Sequence, residues 1–357
     1  MRVDLFDYDL PVDRIAQEPR PRGGSRLLTL GRADGAIAHR RFADLPDLLR
    51  AGDLLVRNDV RVRPARLYGR DDEDRLVEIF LLRAEDNTRR PEGAGARRWR
   101  ALAKPGRRAK AGRRIRFEEG LTAHVESVDA DGSRAVAFDR ALDDALLERI
   151  GRTPLPPYIR RTPGAPDRPE DRAAYQTVFA REPLAVAAPT AGLHFTEEIL
   201  QRIRARGVAI ADLTLAVGAG TFKPVTAADT EGHAMSAEDV AIPGATLRAV
   251  AAALREGRRV VAVGTTVARS LEAAARRPEG LSGDADADLR FSTDLFITPG
   301  FEFRAVGALL TNFHLPRSTL LMLVAAFAGR ESVLAAYAAA LAEGYLFYSY
   351  GDAMLAA

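Results

Sequence analysis

Residues 186–199, VAAPTAGLHFTEEI, set His194 inside a turn broken by Pro189 and Gly192, between a short apolar run and the start of a helix. A histidine projecting from a strand-end loop can act as general acid or base, since an ordinary imidazole titrates near neutrality. Two plainer readings stand beside that one: a helix start that happens to contain a histidine, and a buried histidine with satisfied hydrogen bonds. Thr196, Glu197 and Glu198 need no function, because a threonine N-cap followed by acids suits a helix N-terminus. The stretch TNFHLPRS, at 311–318, poses the same choice for Asn312 and His314: a packed polar loop before a proline, or a second site histidine.

Two glycine turns add further chemistry. GAGTF at 218–222 lets backbone approach a ligand closely or pass through positive φ, and a plain tight turn is its alternative reading. RVVAVGTTVAR at 259–269 reads as a strand, a Gly-Thr-Thr turn and a helix start. It presents hydroxyls and free N–H groups at a strand's C-terminal edge, where open α/β sheets bind ligands, unless Thr265 or Thr266 merely caps the helix. GAG lacks the third glycine of a dinucleotide fingerprint. The five histidines show no i, i+4 pairing and no carboxylate cluster, so no metal site is expected. With no cysteine, the chain has no disulfide framework, no iron–sulfur cluster and no thiolate zinc site.

The elements that must carry these residues follow from pattern. Short alternating strands separated by Gly-, Asp- and Arg-rich turns run from residue 65 to about 137, the signature of a small antiparallel β-barrel or sandwich. Six prolines in 151–171 exclude helix or central strand there and predict an extended return crossing. Beyond it, apolar strands at 184–188, 208–217 and 259–264 alternate with helices at about 197–206, 245–256 and 267–275, and two helices fall within 316–344. That alternation predicts an α/β main domain with a mixed sheet, formed by 1–64 with 151–357, into which a small β-barrel domain at 65–150 is inserted. A flexible surface loop is expected at 277–288.

Composition (47% hydrophobic, 28% charged) is that of a globular protein with a sizeable core, and the length of 357 residues suits two domains. The first residues carry neither a basic nor an apolar leader segment, and the longest apolar run, 319–328, is too short to span a bilayer. A cytoplasmic protein without membrane contact is therefore expected. Residues 97–116 hold ten Lys/Arg and no acid, the electrostatic footprint of a phosphate-backbone binder or else a solvated hairpin. Trp99 within the run favours a nucleic-acid partner.

Taken in order, the segments FDYDLP (6–11), SRLL (25–28), PARL (64–67), KPG (104–106), PLPPYI (154–159), YQTVFA (175–180), APTAGLHFTEE (188–198), GAGTF, GTT (264–266), LLTNFHLPRSTLLMLV (309–324) and YSYGDAML (348–355) resemble the S-adenosylmethionine:tRNA ribosyltransferase-isomerase family of queuosine biosynthesis. Each motif alone is weak. So many in register over nearly the whole chain are specific. The resemblance implies transfer and isomerisation of the ribosyl part of S-adenosylmethionine onto 7-aminomethyl-7-deazaguanine at the tRNA wobble position, with loss of adenine and methionine.

That chemistry asks for a base near the C5′ protons acidified by the sulfonium and for an acid that helps adenine depart. The resemblance implies His194 and His314 as acid/base candidates, with Glu238, Asp294 or Asp59 as carboxylates facing the sulfonium. Thr190, Gly192, Gly218, Gly220, Thr221, Gly264, Thr265 and Asn312 would contact the co-substrate, and Arg61, Arg107, Arg108, Arg113, Arg269 and Arg317 would engage RNA. S-adenosylmethionine enters as co-substrate, no prosthetic group is implied, and a monomer is expected. The chain departs from the usual family pattern at Ala216 and Ser236, which replace histidines, and at Val60, Val267 and Ala268. A paralogue acting on another acceptor and a catalytically silent RNA-binding relative are the alternative readings.

Overall fold

The computed structural model describes residues 1–357 except 86–94, 217, 219–224, 226, 279 and 282–286. In chain order its strands are β1 (Arg26–Leu30), β2 (Ile37–Arg41), β3 (Leu54–Asn58), β4 (Val60–Val62), β5 (Arg66–Arg70), β6 (Leu76–Ala84), β7 (Ala96–Lys104), β8 (Arg114–Arg116), β9 (Thr122–Val128), β10 (Arg134–Leu142), β11 (Glu182–Ala185), β12 (Ala209–Leu215), β13 (Glu238–Ile242), β14 (Val260–Val263), β15 (Leu289–Thr293), β16 (Ala308–Asn312) and β17 (Ala353–Ala356). The helices are α1 (Leu45–Leu48), α2 (Asp144–Ile150), α3 (Pro169–Ala174), α4 (Glu197–Ala205), α5 (Gly244–Arg255), α6 (Thr265–Ala274), α7 (Thr319–Ala328) and α8 (Arg330–Ala342). Two compact units result, one of Met1–Arg61, Gln176–Glu182 and Ala188–Ala357, the other of Val62–Tyr175 and Pro183–Ala187.

The first unit is built on a nine-stranded sheet in the order β15-β13-β12-β3-β14-β16-β17-β1-β2. Its centre, β12, β3, β14 and β16, is parallel, and the flanks are antiparallel at β12–β13, β13–β15, β16–β17 and β1–β2. Every residue of β3, β14 and β16 is buried, as expected of parallel strands covered on both faces. Leu55, Val261, Val263, Ala308 and Leu310 share one face with Ile199, Leu200 and Ile203 of α4, whereas α5 and α6 pack on the same strands outside that cluster. Thr196 caps α4 by accepting from the Ile199 amide, and the buried spacing along α4 supplies its core stripe.

In the second unit β10-β7-β6-β5-β8-β9 close into a six-stranded antiparallel barrel, which leaves no edge to aggregate. Alternate residues of β6, Val77, Ile79 and Leu81, point inward. Trp99 also lies inside this core, its indole N–H donating to the Ala96 carbonyl. It therefore offers no stacking face to RNA, contrary to the expectation drawn from its basic neighbours. Residues 151–171 pack with the barrel unit instead of the main sheet, and their last prolines lead into α3.

The architecture is thus an α/β unit with a large mixed sheet plus a closed antiparallel β-barrel. Among the described residues no single helix is long and apolar enough to cross a membrane, and the apolar α7 and α8 bend by 113° where they meet.

Candidate functional site

Strand direction decides where the polar residues of the main unit collect. The C-terminal ends of parallel β3, β12, β14 and β16 lie along one edge of the sheet, joined by the N-terminal ends of antiparallel β13, β17 and β1. That edge gathers Asp59, Gly218, Glu238, Thr265, Asn312, His314, Asp352 and Ser25 from distant parts of the sequence. Ligands of open α/β sheets sit at this edge.

A cleft opens there, walled by Gly218, Glu238, Thr265, Thr266 and Arg269 on a polar side and by Leu295, Phe296, Ile297, Leu320 and Leu323 on an apolar one. Glu238, 7% exposed, accepts the Gly218 amide on Oε1 at 2.9 Å and forms an ion pair with Arg269, 8% exposed, through Oε2. Burial brings the Arg269 guanidinium down to about 10. Gly264 precedes α6 with φ of 93°, a conformation that favours glycine, and thereby aims the helix start, Thr265 and Thr266, into the cleft. His233, half-buried, completes the wall beside Ser236 and Met235, with its ring edge-on to Phe296 at 5.5 Å.

His194 is not among the lining residues. Its turn is set by packing: a Cβ on Gly192 would stand 2.8 Å from Phe179 Cζ and Thr177 Cγ2. The imidazole is 4% exposed and lies on the Phe42 ring at 4.9 Å, with Nδ1 at 2.9 Å from Ser25 Oγ and Nε2 at 3.2 Å from Asn312 Nδ2. Burial drives its pKa down to about 4. His314 is buried likewise, its Nε2 at 2.7 Å from Thr311 Oγ1 and its backbone held by Tyr337 and Tyr8, and burial drives its pKa down to about 3.

The remaining expected residues scatter. Asn312 Nδ2 also donates to the Tyr348 carbonyl at 2.9 Å, while its buried Oδ1 meets no donor among the described residues. Asp59 is buried behind Thr214, whose hydroxyl donates to it at 2.7 Å, and burial raises its pKa. Asp294 is exposed at the end of β15, next to wall residue Leu295 but outside the wall. Thr190 is half-buried at the start of the turn that precedes His194, and it too lies outside the wall. Gly220 and Thr221 fall outside the described residues. Gly218, Thr265 and Glu238 do come together.

Of the arginines expected to face RNA, Arg61, Arg107, Arg113 and Arg317 are exposed, and Arg108 is half-buried with a bond to the Leu76 carbonyl. Arg269 is a correction: it is sequestered in the cleft wall on Glu238, because the direction of α6 turns it toward the sheet edge and away from solvent. Within the basic run, Arg98 pairs with Glu126 and Arg100 with Glu85 and Asp129, so part of that charge is neutralised by the barrel's own acids. His233 was missed by the sequence reading. Its signal was local, a histidine five residues before Glu238 and three before Ser236, where the chain departs from the usual family pattern.

A family model described as queuosine biosynthesis protein matches residues 3–356. The S-adenosylmethionine:tRNA ribosyltransferase-isomerase of Anaeromyxobacter dehalogenans is 50% identical over 358 residues, covering 99% of this chain and 99% of that protein. Its counterpart from Moorella thermoacetica is 48% identical over 361 residues, again with 99% of each covered. The crystal structure of the S-adenosylmethionine tRNA ribosyltransferase from Thermotoga maritima shares 38% identity, with a TM-score of 0.55 over 99% of this chain and 100% of that one.

Proposed function

Since the chain belongs to the queuosine biosynthesis protein family over essentially its whole length, we propose that it is an S-adenosylmethionine-dependent tRNA ribosyltransferase-isomerase. It moves and isomerises the ribosyl moiety of S-adenosylmethionine onto 7-aminomethyl-7-deazaguanine at the tRNA wobble position. Epoxyqueuosine-tRNA forms, and adenine and methionine leave. The observation that carries this reading is the full-length likeness together with a cleft that places charged, hydroxyl and apolar groups at the ligand-binding edge of the sheet.

Within the cleft, Glu238 supplies the negative charge that a cationic co-substrate requires, and its bond from Gly218 and pairing with Arg269 hold it in place before binding. His233 is the one imidazole among the described wall residues, and we assign it the proton transfers that C5′ deprotonation and adenine departure demand. The buried, hydrogen-bonded state of His194 and His314 supports a positioning role for both at the strand ends. Exposed Arg61, Arg107, Arg113 and Arg317 contact tRNA phosphates in this reading. We place the protein in the cytoplasm as a monomer, where its tRNA substrate resides.

Incubation with S-adenosylmethionine and tRNA bearing the 7-aminomethyl-7-deazaguanine precursor should release adenine in step with epoxyqueuosine. No adenine with any acceptor would overturn the enzymatic reading. Adenine without modified tRNA would point to another acceptor, a reading motivated by Ser236 in the cleft wall where the family commonly has histidine.

A further inference from the structure

We propose that Glu238 and Arg269, together with the first turn of α6, form a recognition site for a zwitterionic α-amino acid head, the methionyl end of the co-substrate. The inference rests on the reading above that this co-substrate is S-adenosylmethionine.

Both charged residues are more than nine-tenths buried, yet both line the cleft. A buried ion pair stabilises a fold little compared with apolar residues of equal volume, so stability alone does not account for its place in the wall. A guanidinium carries five N–H donors, and among the described residues Arg269 meets a single partner, Glu238. Donors therefore remain for a ligand carboxylate, which Arg binds as a fork. The same carboxylate would lie near the α6 N-terminus, where helix amides lack internal acceptors and the dipole favours an anion. Thr265 and Thr266 add hydroxyls at that spot.

The ligand ammonium has its counterpart in Glu238, whose rotamer the Gly218 amide already fixes. Binding thus sets four charges in alternation, and the wall is electrically balanced before and after. The apolar side, Leu295, Phe296, Ile297 and Leu323, is left for the uncharged adenosyl portion. One cleft in this way separates the two leaving products, methionine at its polar side and adenine at its apolar one.

Calorimetric titration of the full chain, without tRNA, tests the assignment with three probes: L-methionine, methylthiopropylamine, which lacks the carboxylate, and methylthiobutyrate, which lacks the amine. For the unaltered protein L-methionine should bind tighter than either fragment. Arg269→Gln should weaken L-methionine and methylthiobutyrate about tenfold to hundredfold and leave methylthiopropylamine unchanged. Glu238→Gln should weaken L-methionine and methylthiopropylamine and spare methylthiobutyrate, and Arg269→Lys, which keeps the charge and supplies a variant should the glutamine form fail to fold, should recover part of the loss. Equal effects on all three probes, or none, would overturn the proposal, as would unaltered protein that binds S-adenosylmethionine but prefers either fragment to L-methionine. Binding that follows the expected pattern without adenine release from any acceptor would instead refute only the enzymatic reading.

Discussion

Asn312 Nδ2 lies 3.2 Å from His194 Nε2 and 2.9 Å from the Tyr348 carbonyl oxygen. A carbonyl only accepts, so the second contact fixes the amide with its NH2 group on this side, and its other hydrogen points at the imidazole. Nε2 must then carry a lone pair. The ring proton sits on Nδ1 and is donated to Ser25 Oγ at 2.9 Å. His194 is thereby a neutral imidazole with both nitrogens engaged, and a proton added to Nε2 would collide with an N–H donor.

This arrangement makes stability depend on pH with a definite sign. The folded pKa values of about 4 for His194 and about 3 for His314 lie below the unfolded value near 6.5, so the unfolded chain takes up protons first. Stability from these two residues is present above about pH 6.5 and is lost as pH falls toward those folded values, by about 1.4 kcal/mol per unit for each histidine inside its window. Urea midpoints measured from pH 7 to pH 4 should fall less steeply for His194→Asn, by about one proton. An identical slope would contradict the neutral buried state.

Glu238→Ala should destabilise the protein by about 3–5 kcal/mol, because it leaves the Arg269 guanidinium buried without its partner. Combining Glu238→Ala with Arg269→Met, which removes both buried charges, should recover most of that loss while activity stays low. Chemical denaturation of the four proteins of this cycle gives the coupling, and strictly additive changes would show that the two residues do not act as a pair.

If His233 moves a proton, His233→Ala should lower kcat for adenine release by about 10²–10⁴-fold with little change in melting temperature, since the ring is half-buried in the cleft wall, edge-on to Phe296. Steady-state kinetics with saturating tRNA read this directly. Undiminished kcat would return the proton transfers to another group.

If the exposed arginines bind tRNA, salt dependence separates their contribution from that of the cleft. Arg107→Ala with Arg113→Ala should raise KM for tRNA, leave KM for S-adenosylmethionine unchanged, and reduce the log–log salt slope of tRNA binding by about 0.7–0.9 for each phosphate that is no longer neutralised. A slope equal to that of the parent protein would place the RNA elsewhere.

Much of the architecture was legible residue by residue. Alternation in β6 and β9, the Thr196 cap, the stripe Ile199-Leu200-Ile203 and the Gly264 turn each depend on neighbours a few positions away, and most strands and helices lie close to where they were expected, whereas the strand expected at 184–188 is β11, outside the main sheet. Trp99, Arg269 and His194 were less transparent. Each is an amphipathic or charged side chain whose type permits either surface or interior, and composition cannot choose between them.

Glu272 illustrates the same limit from another direction. It is fully buried in α6, where it accepts the amides of Arg304, Ala305 and Val306 and pairs with Arg276. Nothing in its own neighbourhood announces that a loop thirty residues downstream will supply those donors.

The sequence by itself determined the elements, the family and therefore the class of chemistry, because caps, periodicity and long motifs are local or cumulative signals. Only the tertiary structure decided which polar groups share a site. Parallel pairing of β3 with β12 and β14 and the antiparallel return of β13 bring Gly218, Glu238, Thr265 and Arg269 to one edge, while Asn312, carried on β16, closes over His194. Register between distant strands fixes those meetings, and burial then sets their protonation.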